Sequence, residues 1–190
     1  MVLGSDSIPN DTYSDSYIEF IKFFSHIQAI DYHSLVISSY FTYGWMPTIL
    51  KNFNHSNNID KVLMILNKVK NNEEIFEKDY CELVTCINNS VIGVSKILHF
   101  INPDNYPIFD SRVKNYFKKN KLFRPISEYC KNKEKEIRQY ITYKNLCSNI
   151  IENEKYKNTI EKIIKQKLNS QLEISSLRIL ENTFFLLDKN

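Results

Sequence analysis

Apolar residues recur at helical spacing along most of the chain. Tyr17, Phe20, Ile21, Phe24 and Ile27 stand three and four apart and predict a first helix, with Ser14 or Asp15 as its cap. Asp31 is placed to cap a second helix that turns Leu35, Val36, Ser39 and Tyr40 inward, and Gly44 and Pro47 punctuate its end. Asn57 or Asn58 opens a third through Ile59, Val62, Leu63, Ile65, Leu66 and Val69, which stops at Lys70-Asn71-Asn72. Ile75 to Ile87 repeats the pattern with Phe76, Tyr80, Leu83 and Val84, and Asn88-Asn89-Ser90 breaks it. Residues 95–113 read as the end of a buried helix, a turn closed by Pro103 and Pro107, and the start of another helix with Val113, Tyr116 and Phe117 inward. Lys96 is expected to open the first of these helices and Asp110 to stand at the N-terminal edge of the second. After a break at Leu122-Phe123-Arg124-Pro125, a long polar helix from Ser127 toward Asn153, a surface helix over 155–168 and an apolar last helix from about Leu172 to Leu187 complete the reading. Nothing alternates as a strand does. The expectation is an all-α fold, one domain over 13–190 after a flexible stretch at 1–12.

Composition agrees. Three Gly and five Pro leave few sites for the tight hairpins a β-sandwich or barrel needs, while twelve Tyr and twelve Phe can fill a core. There is no run of about 18 apolar residues, so no membrane span is expected. The first residues lack a basic and then apolar leader, which points to a cytoplasmic location. Cysteines at 81, 86, 130 and 147 have neither CxxC spacing nor a nearby zinc-like histidine, so free thiols are expected, with no metal and no cofactor. His26, beside the first apolar stripe, reads as a core or boundary residue rather than a ligand.

Charge is unevenly spread. From Arg112 to Lys144 eleven basic residues face three acidic ones, a local +8 against a total of +3. Such a stretch suits a phosphate-tracking face, since each neutralised phosphate releases a counterion, and DNA is the partner it suggests. Tyr106, Phe109, Tyr116, Phe123, Tyr129 and Tyr140 are interleaved with it, as side chains that stack on or wedge between bases would be. The plainer alternative is a solvated face of a lysine-rich protein.

Beside this stretch stand one amine and one carboxylate. Lys96 and Asp110 either form an ion pair pinning two helices, with Asp110 or Ser111 as a cap, or act together on a substrate. His99 lies one turn beyond Lys96, placed to pack, to hydrogen-bond or to assist in proton transfer. Phe41, Tyr43 and Trp45 are candidates for stacking on a base or sugar, or for an aromatic plug beneath a helix corner, and Phe184 and Phe185 of the last helix are further candidates for stacking.

The residues Ser95-Lys96-Ile97-Leu98-His99-Phe100-Ile101-Asn102-Pro103, then Tyr106-Pro107-Ile108-Phe109-Asp110-Ser111-Arg112-Val113, follow the phrase SK.LHF.NP..YPI.DSRV. In this they resemble the helix-hairpin-helix DNA glycosylases, in particular a bacterial branch with the 8-oxoguanine DNA glycosylase fold. Gly93 is the single glycine where the family's hairpin has two, and Leu177-Arg178-Ile179-Leu180-Glu181 in the last helix is compatible with the same branch. The resemblance implies two helical lobes around a cleft. It makes Lys96 the nucleophile, attacking C1′ of the sugar once burial has released its amine, and Asp110 the carboxylate that stabilises the charge developing on the sugar. The target nucleotide would be turned out of the duplex. His99, Tyr43, Trp45 and Phe184 would then meet the base, and Gly93, Ser95, Ser111, Arg112, Lys114 and Lys118 the DNA. The rival expectation is a helical DNA-binding, defence or interaction protein that keeps the scaffold without the chemistry.

Overall fold

A computed structural model of the protein describes residues 12–45, 49–51, 53, 58–122, 132–162 and 174–187. It is all-α. The helices are α1 (Thr12–His26), α2 (Tyr32–Trp45), α3 (Ile59–Lys70), α4 (Glu77–Cys86), α5 (Val91–Ile101), α6 (Ser111–Lys119), α7 (Asn132–Glu152) and α8 (Ser176–Leu187), with a π-helical turn over Tyr156–Glu161 before α8. Among the described residues the only extended pairing is one bridge between Phe53 and Ile87.

The helix starts follow local chemistry. Asp31 accepts from the Ser34 backbone N–H at 2.8 Å, and Asn58 Oδ1 accepts from that of Lys61 at 3.1 Å. Asp79 reaches back to the Phe76 N–H, fastening α4, and Ser90 Oγ accepts from Gly93 N to open α5. Lys96 therefore stands in the second turn of its helix, not at its opening, because Ser90 starts α5 five residues earlier than the 95–113 phrase suggested. Asp110 does cap α6, its Oδ1 accepting from Val113 N at 2.8 Å. The expected start near 127 lies outside the described residues; the segment expected from 155 is helical from 154, and the last helix, expected from about 172, begins at Ser176 after a non-helical 174–175. His26, expected at the core or its boundary, is exposed at the last turn of α1.

α5 is the axle. Nine of its eleven residues are buried, and it packs against α1, α2, α3, α4 and α7, while α8 lies on α6 and α7. A helix apolar nearly all round must be surrounded, and this one is. The buried side chains form one continuous core. Phe184 belongs to it, 5.1 Å from Phe117 and 5.4 Å from Tyr116 between ring centroids, so it fills the α6–α7–α8 junction rather than facing a base. Of the side chain of Phe185 nothing is described. No described helix is long and apolar enough to cross a membrane.

Candidate active site

The residues of the 95–113 phrase divide into staples and reactive groups. Ser95 is fully buried; its Oγ donates to Ile92 O and accepts from Phe109 N at 3.0 Å, binding the segment before Asp110 to the turn that carries Lys96. His99 is also fully buried. Its Nδ1 lies 2.7 Å from the Tyr106 carbonyl oxygen, which can only accept, so Nδ1 carries the proton and Nε2 accepts from the Tyr17 hydroxyl at 2.9 Å. Burial, then the nearby Arg178 charge, pushes His99 down to about 3 against the pull of the Tyr106 carbonyl, so it stays neutral. Asn102 donates to Val69 O at 2.8 Å and Asn72 Oδ1 at 2.9 Å, locking the end of α5 to the end of α3. Ser95 and His99, expected on DNA and base, are instead interior ties that set where Lys96 and Asp110 stand.

Gly93 has no hairpin role either. It lies in the first turn of α5 at negative φ, and a Cβ there would collide with the Tyr43 ring and hydroxyl. Tyr43 is buried at 3% exposure, so it too is packing rather than a wall for a base. The left-handed positions between α4 and α5 fall on Asn88 (φ 55°) and Asn89 (φ 49°), residues that tolerate that region when glycine is absent. The Asn88 side chain accepts from Lys51 N at 3.1 Å, anchoring the segment after α2 to the turn.

Around Lys96 four elements converge. Trp45, the last residue of α2, has the Lys96 ammonium 4.6 Å from its ring centroid and the Arg178 guanidinium carbon 5.7 Å away. Phe100 meets the same indole edge-on at 5.4 Å. Arg178 and Glu181, one turn apart in α8, are joined at 2.6 Å with side chains 16% and 3% exposed, and Arg178 also lies 4.8 Å over Tyr17. Lys96 is half-buried and makes no ion pair with Asp110 or Glu181. Burial lowers its pKa; Glu181 and then Asp110 oppose the fall, and Arg178 adds to it. Burial pushes Glu181 up to about 7 despite Arg178. Of the expected residues, the fold brings Lys96 onto Trp45 and sets Asp110 near enough for its charge to act on Lys96. It adds Arg178 and Glu181, whose signal was two opposite charges three apart within the apolar run Leu177, Ile179, Leu180.

The basic face is partly occupied. Lys114 and Lys133 share Glu136, at 2.7 and 3.3 Å, and Arg138 meets Glu77 at 2.7 Å. Lys144 lies 5.1 Å over the Tyr106 ring. Lys114, expected on DNA, is tied between α6 and α7, whereas Ser111, Arg112 and Lys118 are exposed on α6. Residues 123–131, with Arg124, Lys131 and Cys130, lie outside the described residues; Cys81 and Cys147 are free thiols. Among the described residues no group of three His, Cys, Asp or Glu is arranged to hold a metal ion.

No protein-family model, curated protein or solved structure matches the chain.

Proposed function

We propose that the protein is a DNA glycosylase, with lyase activity at abasic sites, that excises a damaged or modified base through Lys96 and Asp110. The observation that carries this reading is an amine without an ion pair, held over an indole, its pKa lowered by burial against the pull of Glu181 and of Asp110, the carboxylate that caps the next helix. Lys96 as a free amine attacks the sugar C1′, the bond to the base breaks with its electron pair leaving on the base, and the amine nitrogen remains joined to carbon. Asp110 offsets the positive charge that develops on the sugar. The architecture we infer is the helix-hairpin-helix one. In it α4, the Asn88-Asn89 turn and α5 form the hairpin, and two lobes flank the cleft where α2, α5, α6 and α8 meet. Exposed Ser111 and Arg112 in the first turn of α6, with Lys118 in its last turn, support a phosphate track running up to this cleft.

Incubation with abasic duplex DNA and borohydride tests it. Wild type should give a covalent adduct and Lys96→Ala none, with Asp110→Asn reduced at least tenfold; absence of adduct from wild type defeats the reading. A second reading, a non-catalytic helical DNA-binding or defence component, is favoured by the internal pairing of Lys114, Lys133 and Arg138. It predicts salt-sensitive DNA retention without adduct.

A further inference from the structure

Trp45 is the one tryptophan of the chain, and its ring meets two cations. The Lys96 nitrogen lies 4.6 Å from the ring centroid and the Arg178 guanidinium carbon 5.7 Å from it. Arg178 is held elsewhere as well, by Glu181 at 2.6 Å and over the Tyr17 ring at 4.8 Å. Phe100 fixes the indole edge-on at 5.4 Å. Lys96, half-buried, pairs with no carboxylate among the described residues. An aromatic face is negative when met from above, so it draws a cation and does little for a neutral amine. The indole is therefore placed to respond to the charge on this nitrogen.

Three charged groups act on Lys96 through space: Glu181 and Arg178 of α8, and Asp110 at the start of α6. Tyr17 of α1, Tyr43 of α2, and Tyr140 and Tyr143 of α7 are raised by burial and stay protonated. His99 on α5 itself stays neutral. Against this background the ring of Trp45 is the group in contact with the reacting nitrogen.

We propose that Trp45 is a catalytic residue whose ring face holds the positive charge on the Lys96 nitrogen, first as ammonium and then as the iminium formed with the aldehyde of an abasic sugar. This rests on the lyase activity proposed above. The ammonium gives up two protons, its nitrogen bonds to C1′, and the carbonyl oxygen leaves with those protons as water. Ammonium plus aldehyde thus become iminium plus water, with one positive charge on nitrogen before and after. The charge is absent only in the free amine that attacks. The ring therefore opposes release of the amine and favours its conversion to iminium. Below the Lys96 midpoint these two effects cancel. Above it the resting group is already the amine, and only the forward pull remains.

Two readings across pH test this on the full chain: competitive acetylation with acetic anhydride, peptide by peptide, for the Lys96 midpoint, and cyanoborohydride trapping on abasic duplex DNA for the iminium. Trp45→Leu keeps the position apolar but removes the ring. It should lower the midpoint, giving about fivefold more amine at a given pH below it, while Lys118 does not move. It should trap as well as wild type below the midpoint and about fivefold less above it. Because Trp45 is the only tryptophan, biosynthetic 5-fluorotryptophan weakens the negative face of this ring alone. It should shift both readings the same way by about twofold, without requiring the Leu variant to fold, and a packing role would leave both unmoved. A midpoint that neither replacement moves overturns the proposal. A moved midpoint with trapping unchanged above it would mean that the ring holds only the resting ammonium, which overturns the catalytic role and leaves the glycosylase reading intact. No adduct from wild type at any pH defeats that reading, and the catalytic role with it.

Discussion

His99 is a histidine whose whole value is in staying uncharged. It donates through Nδ1 to Tyr106 O and accepts through Nε2 from Tyr17, and a second ring proton would break the latter bond. Its folded pKa, about 3, is depressed below the ordinary 6.5, so the unfolded chain binds the extra proton first. The stability it contributes is present above pH 6.5 and is lost as pH falls toward 3. Glu181 has the opposite sign, raised from 4.5 to about 7, so its contribution is present below 4.5 and is lost as pH rises through 7. Between pH 6.5 and 4.5 the two contributions offset each other, so thermal melts should show wild type losing Tm chiefly below pH 4.5. His99→Gln, which can still donate and accept, should flatten that limb, and a limb of unchanged slope would assign the acid loss elsewhere. Glu181→Gln should remove the offset, so that the acid loss begins near pH 6.5.

At the scale of elements, α5 is positioned by contacts made through single atoms. Ser95 Oγ is the acceptor for the buried Phe109 N–H, so Ser95→Ala leaves that donor unmet at a cost of about 1–3 kcal/mol, readable by urea denaturation. Because the same bond carries Asp110 to its place, adduct formation should fall further than stability explains, and Ser95→Thr should not restore it if the added methyl cannot fit. Gly93→Ala should destabilise through collision with Tyr43, and Tyr43→Phe should recover part of the loss, since the nearest atom is the hydroxyl. In the turn between α4 and α5 the strain runs the other way. Asn89→Gly should be tolerated or stabilising, and Asn89→Val should cost about 1 kcal/mol or more, because a β-branched residue resists positive φ.

For the whole molecule, the decisive matter is how much positive charge is left for a polyanion. Lys114 and Lys133 are held by Glu136, which the local +8 already counts, and Arg138 by Glu77 from outside the stretch, so fewer of these cations are free to turn to DNA than the charge suggests. If DNA binds as proposed, Lys118→Ala should weaken it evenly across sequences and lower the salt slope by about one. Lys114→Ala should chiefly loosen α6 from α7, with a smaller change in slope. Binding measured by fluorescence anisotropy over a salt series distinguishes these two effects.

The helices were largely legible in the chain because amphipathic spacing and caps are local: Asp31, Asn58 and Asp110 mark helix starts in sequence and in structure alike. The all-α class and the placement of Lys96 and Asp110 on consecutive helices came from the same source. What local pattern does not carry is the partner a side chain finds. Ser95, His99, Tyr43 and Phe184 had the composition of a site and turned out to be interior, since burial depends on which helix covers which face. Gly93 looked like a hairpin glycine, yet the turn's positive φ falls on Asn88 and Asn89. Arg178 and Glu181 come near Lys96 from about eighty residues away only because α8 packs on α6 and α7 and the Trp45 indole faces both Lys96 and Arg178. The sequence by itself determined the elements and supplied the amine and the carboxylate. Tertiary structure alone decided which charges face them, because electrostatic neighbours across a core have no spacing in the chain to announce them.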